Sequence, residues 1–229
     1  MTVTVNQPCP FPTLYLWNRF VHSDTIVHLT AAQFIRRQAR GSCAFMNGYE
    51  IMLADRRFRL TIPTIHSGRQ SVANTLIDHN GNWVSDHEKT IHQRYRKTPY
   101  FDEVLQLYRT VMTLRFPTIA KFSIVSIAMV MEYLGLEKRV VDSSVPGRND
   151  DASMWMLDIV RAAGGTEYLC GQWAIDNYLR VVEWSGINVI GQKWQCPMYE
   201  QKTNVQFESN LSILDLLFRH GKDSLRLLQ

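Results

Sequence analysis

Residues 1–29 read MTVTVNQPCPFPTLYLWNRFVHSDTIVHL, and they predict a strand, a helix and a second strand in succession. Met1 to Val5 alternates threonine with valine, which is typical of a strand, and the polar turn at residues 6–8 ends it. Leu14 to Val21 has the apolar and aromatic residues of a short packed helix. Thr25 to Leu29 is again rich in β-branched residues and indicates a second strand.

The rest of the chain continues this alternation of strands and helices. Further strands are predicted at residues 45–53, 56–65, 139–142, 167–170 and 187–191. Further helices are predicted at 83–97, from 101 to near 117, and at 119–134, 154–163, 173–179 and 213–219. Ser153 is expected to cap the helix that follows it. The pattern predicts the α/β class, with a mixed sheet, flanking helices, a strand-rich N-terminal half and a helix-rich C-terminal half. We expect one domain over residues 1–229, or two tightly packed lobes at about 1–115 and 116–229.

Composition narrows the class of protein. The chain has 229 residues, of which 45% are hydrophobic and 20% charged, as in an ordinary globular protein with one sizeable core. The four cysteines form no CxxC pair, so we expect free thiols, a reducing cytoplasmic location and no zinc site. We expect no secretory signal, and no membrane partner, because the most apolar run, Ile119 to Leu134, is interrupted by polar residues.

Positive charge is concentrated in the first half of the chain. The net charge is +4, and basic residues cluster at 36–40, 56–59 and 94–97. A run that includes Arg36 and Arg37 is either a solvated face or a set of planar forks that bind phosphate or carboxylate. This distribution permits an anionic partner such as nucleic acid.

The stretch WVSDHEKTIHQRYRKTPYF at residues 83–101 places an imidazole on an apolar helix face. Trp83, His87, Ile91 and Tyr95 recur every four residues, so they form one stripe. His87 is then either a core histidine or a base that takes a proton near neutral pH.

Motifs for nucleotide loops, zinc hydrolysis and serine hydrolysis are missing from the sequence, so no metal or organic cofactor is predicted.

Gln7 follows a strand, where ligands bind in open α/β sheets, although it could also cap the turn. Gly171 also follows a strand and permits either a close ligand or a sharp turn. Asp215 lies in an apolar helix, where a carboxylate caps the helix, pairs with a cation or orients a catalytic group. The remaining candidate binding residues are amides and tyrosines: Gln33, Gln192, Tyr199 and Gln201.

Short stretches spread over nearly the whole chain resemble the WbqC-like protein family. They are NQP at 6–8, QF at 33–34, LTIP at 60–63, PYF at 99–101, YLCG at 168–171, PMYEQ at 197–201 and LSILDLLFRHG at 211–221. The resemblance implies an enzyme of a modification pathway, linked either to O-antigen sugars or, in similar viral proteins, to decorated DNA bases. It also implies transfer of a small group, such as an amino acid, to an activated acceptor.

These observations lead to the hypothesis of a cofactor-independent transferase. The amine of a small amino acid such as glycine would displace phosphate from a pyrophosphorylated hydroxymethyl base in DNA, and His87 would be the base. Arg36, Arg37 or Lys97 would hold the leaving phosphates, and Tyr95, Tyr199 and Gln201 would position the substrate. One alternative acceptor is a nucleotide-linked amino sugar of polysaccharide synthesis. A second alternative is a non-catalytic module that binds nucleic acid.

Overall fold

The computed structural model describes residues 1–35, 46–53, 56–65, 68–143, 145, 147, 151–201 and 206–229. Arg36 and Arg37, which the sequence suggested as phosphate ligands, lie outside these ranges. The predicted α/β class is confirmed.

The elements follow the predicted order closely. The strands are β1 (Thr2–Asn6), β2 (Thr25–His28), β3 (Gly48–Leu53), β4 (Arg56–Thr61), β5 (Thr64–Ile65), β6 (Leu76–Ile77), β7 (Arg139–Asp142), β8 (Glu167–Cys170) and β9 (Asn188–Gly191). The helices are α1 (Leu14–Val21), α2 (Trp83–Tyr95), α3 (Phe101–Thr113), α4 (Ile119–Leu134), α5 (Ala152–Ala162), α6 (Gln172–Asn177), α7 (Ile213–His220) and α8 (Ser224–Leu227). None of the described helices is both long enough and apolar enough to cross a membrane.

The main sheet has five strands in the order β7-β2-β1-β8-β9, and every pair in it is parallel. The chain builds outward from β1 through β2 to β7, and then returns to the other side of β1 to add β8 and β9. This is the strand order of doubly wound sheets, and the direction of winding reverses between β1 and β8. Antiparallel pairing is found in two small sheets, β3 with β4 and β5 with β6.

Alternate residues of the central strands enter two different cores. Val3, Val5 and Val27 pack against α5, together with residues of β8 and α6. Ile26 on β2 points the other way, into a larger core formed mainly by α1, α2, α3, α4 and α7. Each face of the sheet is therefore covered, as expected for a parallel sheet. The sheet takes two strands from before residue 116 and three from after it.

Helix ends show which local predictions succeed. Helix α4 begins where the Thr118 side chain accepts a hydrogen bond from the Lys121 amide, and it ends at Gly135 in the left-handed conformation, φ 65°. The cap predicted at Ser153 is wrong, because Asp151 caps α5 by accepting from the Met154 amide at 2.9 Å.

Ser153 makes different hydrogen bonds. Its hydroxyl is buried and accepts from the indole of Trp184 at 3.0 Å and from the amide of Arg180 at 2.9 Å. It therefore ties α5 to the segment after α6 and is not free to cap its own helix.

Candidate active site at the carboxyl edge of the parallel sheet

The two strands at the winding reversal diverge toward their carboxyl ends. Strand β1 pairs with β8 only through Thr2 and Val3, whereas it pairs with β2 as far as Asn6. Beyond Val3 the contact is made by a side chain, since the Thr4 hydroxyl donates to the Leu169 carbonyl at 2.9 Å. Ligands of open α/β sheets bind where strands separate in this way. This crevice is therefore the candidate active site.

A row of three polar side chains crosses the ends of three neighbouring strands. Asn6 is in register with His28, and His28 is in register with Asp142. Residues in register on parallel strands project from the same face of the sheet. Asn6 and His28 are 6% and 1% exposed, whereas Asp142 is exposed at the sheet edge. The row thus leads from the solvent into the sheet.

His28 is the most unusual member of this row. Neither ring nitrogen has a hydrogen-bond partner among the described residues. Burial lowers the pKa of His28 to about 4, and the nearby Asp142 carboxylate offsets only part of that effect. The Thr30 hydroxyl donates to both Asp142 oxygens, at 2.7 and 2.9 Å. His28 is therefore neutral at pH 7 and keeps a lone pair for a ligand.

The opposite wall of the crevice comes from α1 and from the ends of β8 and β9. A Cβ on Gly171 would lie 2.7 Å from the Tyr15 hydroxyl, so only a glycine at this position leaves room for the phenol. The Arg19 guanidinium lies over the Tyr15 ring, 5.5 Å from its centroid. Burial raises the pKa of Cys170, and the Arg19 charge offsets only part of that effect. Gln192 donates to the Tyr15 carbonyl at 2.8 Å. This wall therefore holds the Arg19 guanidinium and two groups that can both donate and accept hydrogen bonds, the Tyr15 hydroxyl and the Gln192 amide.

Unpaired polar atoms are concentrated at this end of the sheet. Among the described residues, nine buried side-chain atoms lack a hydrogen-bond partner. Five of them belong to four residues of the two walls: Asn6 Oδ1, Arg19 Nε, His28 Nδ1, His28 Nε2 and Gln192 Oε1. Buried polar groups are nearly always paired in native proteins, and exceptions in one place indicate a ligand site.

The structure brings three of the predicted site residues to this edge and leaves two others, Gln33 and Lys97, exposed elsewhere. Gln7 directly follows β1 and is half-buried, and Gly171 and Gln192 directly follow β8 and β9. Gln33 is exposed and forms a single bridge with Ser71. Lys97 is exposed just beyond α2.

His87 lies in a different place, on the buried face of α2. Its Nδ1 is 3.2 Å from the Tyr49 hydroxyl, which is 2.7 Å from the Tyr108 hydroxyl. Its ring meets the edge of Trp83 at a centroid distance of 5.4 Å. Burial lowers the pKa of His87 to about 4, and a backbone hydrogen bond at Thr61 offsets part of that effect. This geometry favours a packing role, and the catalytic role of His87 stays a prediction.

Four other predicted residues meet in one buried network around Asp215. Its carboxylate accepts from the Tyr95 hydroxyl at 2.6 Å, from the Tyr199 hydroxyl at 3.0 Å and from Arg219 Nε at 3.3 Å. Arg219 also donates to the Gln201 carbonyl at 2.9 Å. Burial and the Asp215 charge raise the pKa of both tyrosines, so both stay protonated donors. Since both carboxylate oxygens are occupied, the network favours a stabilising role for Asp215.

Comparison with known proteins gives the family. The model of the WbqC-like protein family matches residues 7–227. The chain belongs to the WbqC-like protein family. The resemblance seen in the sequence is thereby confirmed over nearly the whole chain. No curated protein and no solved structure matches the chain.

In this WbqC-like protein, four residues of the crevice were not predicted as site residues from the sequence: Asn6, Arg19, His28 and Asp142. His28 and Asp142 each end, or nearly end, a predicted strand. A usable signal was therefore present, because the carboxyl ends of parallel strands share one edge. The missing information was which strands are neighbours.

The donor set of this WbqC-like protein suits organic ligands better than a metal ion. Among the described residues, no group of three or more His, Cys, Asp or Glu side chains is arranged to hold a metal. The crevice instead combines neutral acceptors, one carboxylate and one guanidinium. Such a set can receive an ammonium on one side and an anion on the other.

Proposed function

We propose that this protein is a cofactor-independent transferase in which the amine of a small amino acid, such as glycine, displaces a phosphate leaving group from an activated acceptor. The concentration of unpaired buried atoms at the carboxyl edge of the sheet carries this proposal. A buried polar atom without a partner costs about 1–3 kcal/mol, so these atoms call for a ligand that pairs with them. Membership of the WbqC-like family supports an enzyme.

The row of Asn6, His28 and Asp142 suits the amine. The N–H groups of a neutral amine donate hydrogen bonds, and the row supplies an amide oxygen, an imidazole nitrogen and a carboxylate to accept them. The free amine is the nucleophile, and the proton that it loses as the C–N bond forms goes to His28. The neighbouring Asp142 charge favours the resulting imidazolium. His28 takes the role that the sequence hypothesis gave to His87.

The wall with Arg19 suits the leaving group. As the C–N bond forms, the C–O bond to the phosphate breaks, and the leaving pyrophosphate keeps the bonding pair. Arg19 Nε is buried without a partner, so it can donate to a phosphate oxygen. Arg36 and Arg37, which continue the chain beyond β2, are proposed to complete this binding. Positioning and charge neutralisation then supply the rate gain.

The acceptor that we propose is a pyrophosphorylated hydroxymethyl base in DNA. The net charge of +4 supports an anionic polymer as the partner. A nucleotide-linked amino sugar is the second candidate, and the strand order favours it, because doubly wound sheets bind nucleotides at the winding reversal. The salt dependence of binding distinguishes the two acceptors, since binding through several phosphates weakens steeply with ionic strength.

The test is transfer of labelled glycine to each acceptor, with released pyrophosphate measured in parallel. We expect label to enter the modified DNA in a one-to-one ratio with pyrophosphate. His28→Gln should lower turnover by about two to four orders of magnitude while circular dichroism stays unchanged.

The matched control is His22→Gln. His22 is exposed at the end of α1, so its loss should leave turnover unchanged. Transfer that survives in His28→Gln but is lost in His87→Gln would restore the original assignment of the base. DNA binding without incorporation of label onto either acceptor would instead favour the non-catalytic module.

A further inference from the structure

A groove outside the crevice runs along the solvent face of α2. Its volume is about 880 Å³, which lies within the usual range for ligand sites. Helix residues at intervals of three and four line it, from Ser85 to Arg96, and the end of α3 closes one side through Met112. His87 does not line the groove, because it lies on the buried face of the same helix. The two faces of α2 therefore have different surroundings.

The groove has an apolar floor and an excess of positive charge. Trp83, Val84 and Met112 form part of the lining. The charged lining residues are Glu88, Lys89, Arg96 and Arg115. Glu88 is already paired with Arg109, and Lys89 is paired with Asp86.

Arg96 and Arg115 are the cations left for a ligand. Both are exposed, and neither side chain has an ion pair or hydrogen bond with any described residue. They belong to different elements, Arg96 following α2 and Arg115 following α3. From Trp83 to Arg96 the helix rises by about 20 Å, so the groove is elongated. An elongated ligand with both anionic groups and flat apolar groups would match it.

We infer that this groove binds single-stranded nucleic acid, with phosphates at Arg96 and Arg115 and a base against Trp83. Aromatic side chains beside a basic track are the usual means of binding single strands without sequence preference. A duplex would present phosphates alone, because its bases are stacked inside. The groove would then hold the acceptor strand whose modified base enters the crevice, and in this respect the inference rests on the proposed function.

The experiment measures binding of a fluorescent unmodified 12-nucleotide strand by anisotropy at 50 and 200 mM salt. No turnover is required, so a failure of this inference is separate from a failure of the transferase proposal. Contact with two phosphates predicts that affinity falls about sevenfold over this salt range. The double variant Arg96→Gln/Arg115→Gln should bind about tenfold more weakly at 50 mM salt, and the slope of log affinity against log salt should be shallower by about 1.4.

Two controls make the result specific. Lys222→Gln/Arg226→Gln removes the same charge from exposed residues near the C-terminus and should bind like the wild type. An abasic strand of equal length should bind about tenfold more weakly than the ordinary strand if a base stacks on Trp83.

Each of three results with the single strand would overturn the inference, and a fourth comes from the duplex. They are absence of binding at 50 mM salt, equal losses in the groove variant and the charge-matched control, and equal affinity for the abasic strand. Equal affinity for duplex and single strand, with the same sensitivity to the groove variant, would also reject a single-strand site.

Discussion

Replacing Asp215 with asparagine removes the negative charge at the centre of the buried network that joins α7 to α2. The Asp215 side chain is fully buried, and the Arg219 side chain beside it is only 6% exposed. Asparagine has nearly the same shape, so the change leaves the packing intact and leaves the Arg219 charge without its counter-ion. Breaking a buried ion pair in this way costs about 3–5 kcal/mol.

Thermal unfolding measures this effect directly. For a chain of this length each kcal/mol shifts Tm by roughly 2–4 °C, so Asp215→Asn should lower Tm by roughly 6–20 °C. The control is Asp86→Asn, because that carboxylate is 64% exposed and its pair with Lys89 should contribute less than about 1 kcal/mol.

A double variant tests the cause of the loss. Asp215→Asn/Arg219→Met removes both charges but keeps a side-chain oxygen as an acceptor for the tyrosines, and it should be more stable than Asp215→Asn, since no buried charge is left unpaired. If the Tm of Asp215→Asn is within about 2 °C of the wild type, a structural role for the carboxylate is refuted. Loss of transfer activity at an unchanged Tm would instead support the catalytic role predicted for Asp215.

Three further predictions concern other parts of the molecule. The pKa values of His28 and His87 are about 4 in the folded protein and about 6.5 when unfolded, so the unfolded chain binds more protons between these pH values. The free energy of unfolding should therefore fall as pH is lowered from 6.5 to 4, by up to roughly 3 kcal/mol for each ring. Urea unfolding at several pH values measures this change, and a constant free energy of unfolding from pH 7 to 4 would contradict the prediction. Ser153→Ala should lower the free energy of unfolding in urea by about 1–3 kcal/mol, because it leaves two donors without their acceptor. An unchanged urea midpoint would show that these donors find other partners. Gly171→Ala should displace the Tyr15 phenol and weaken glycine binding in calorimetry with little loss of stability, whereas unchanged binding would place the ligand away from this wall.

Local structure was largely predictable from the sequence, because its signals are local. Helix α4 is bounded as expected, since Gly135 supplies the left-handed stop. Strands β7 and β8 were also predicted to the residue. The cap of α5 was not, because Asp151 and Ser153 can both cap a helix and a distant partner, Trp184, decides between them.

The candidate site was less predictable, because it depends on neighbours that are far apart in the sequence. Asp142 reaches His28 only through the pairing of β7 with β2, and no local pattern specifies that pairing. Gln7 and Gly171 could be proposed since each directly follows a predicted strand. Periodicity placed His87 on an apolar face correctly, but it could not show that Tyr49 would bury the ring from the other side.

The central strand of the sheet has consequences for the growing chain on the ribosome. One edge of β1 is covered early by β2, but the other edge must wait for β8, which begins at Glu167. At about 5–20 residues per second, roughly 7–30 s separate the synthesis of β2 from that of β8. During that interval the valine-rich β1 has an open hydrogen-bonding edge, which is a template for pairing with another chain. The production of soluble protein should therefore depend on chaperones that cover this edge until residue 170 has emerged.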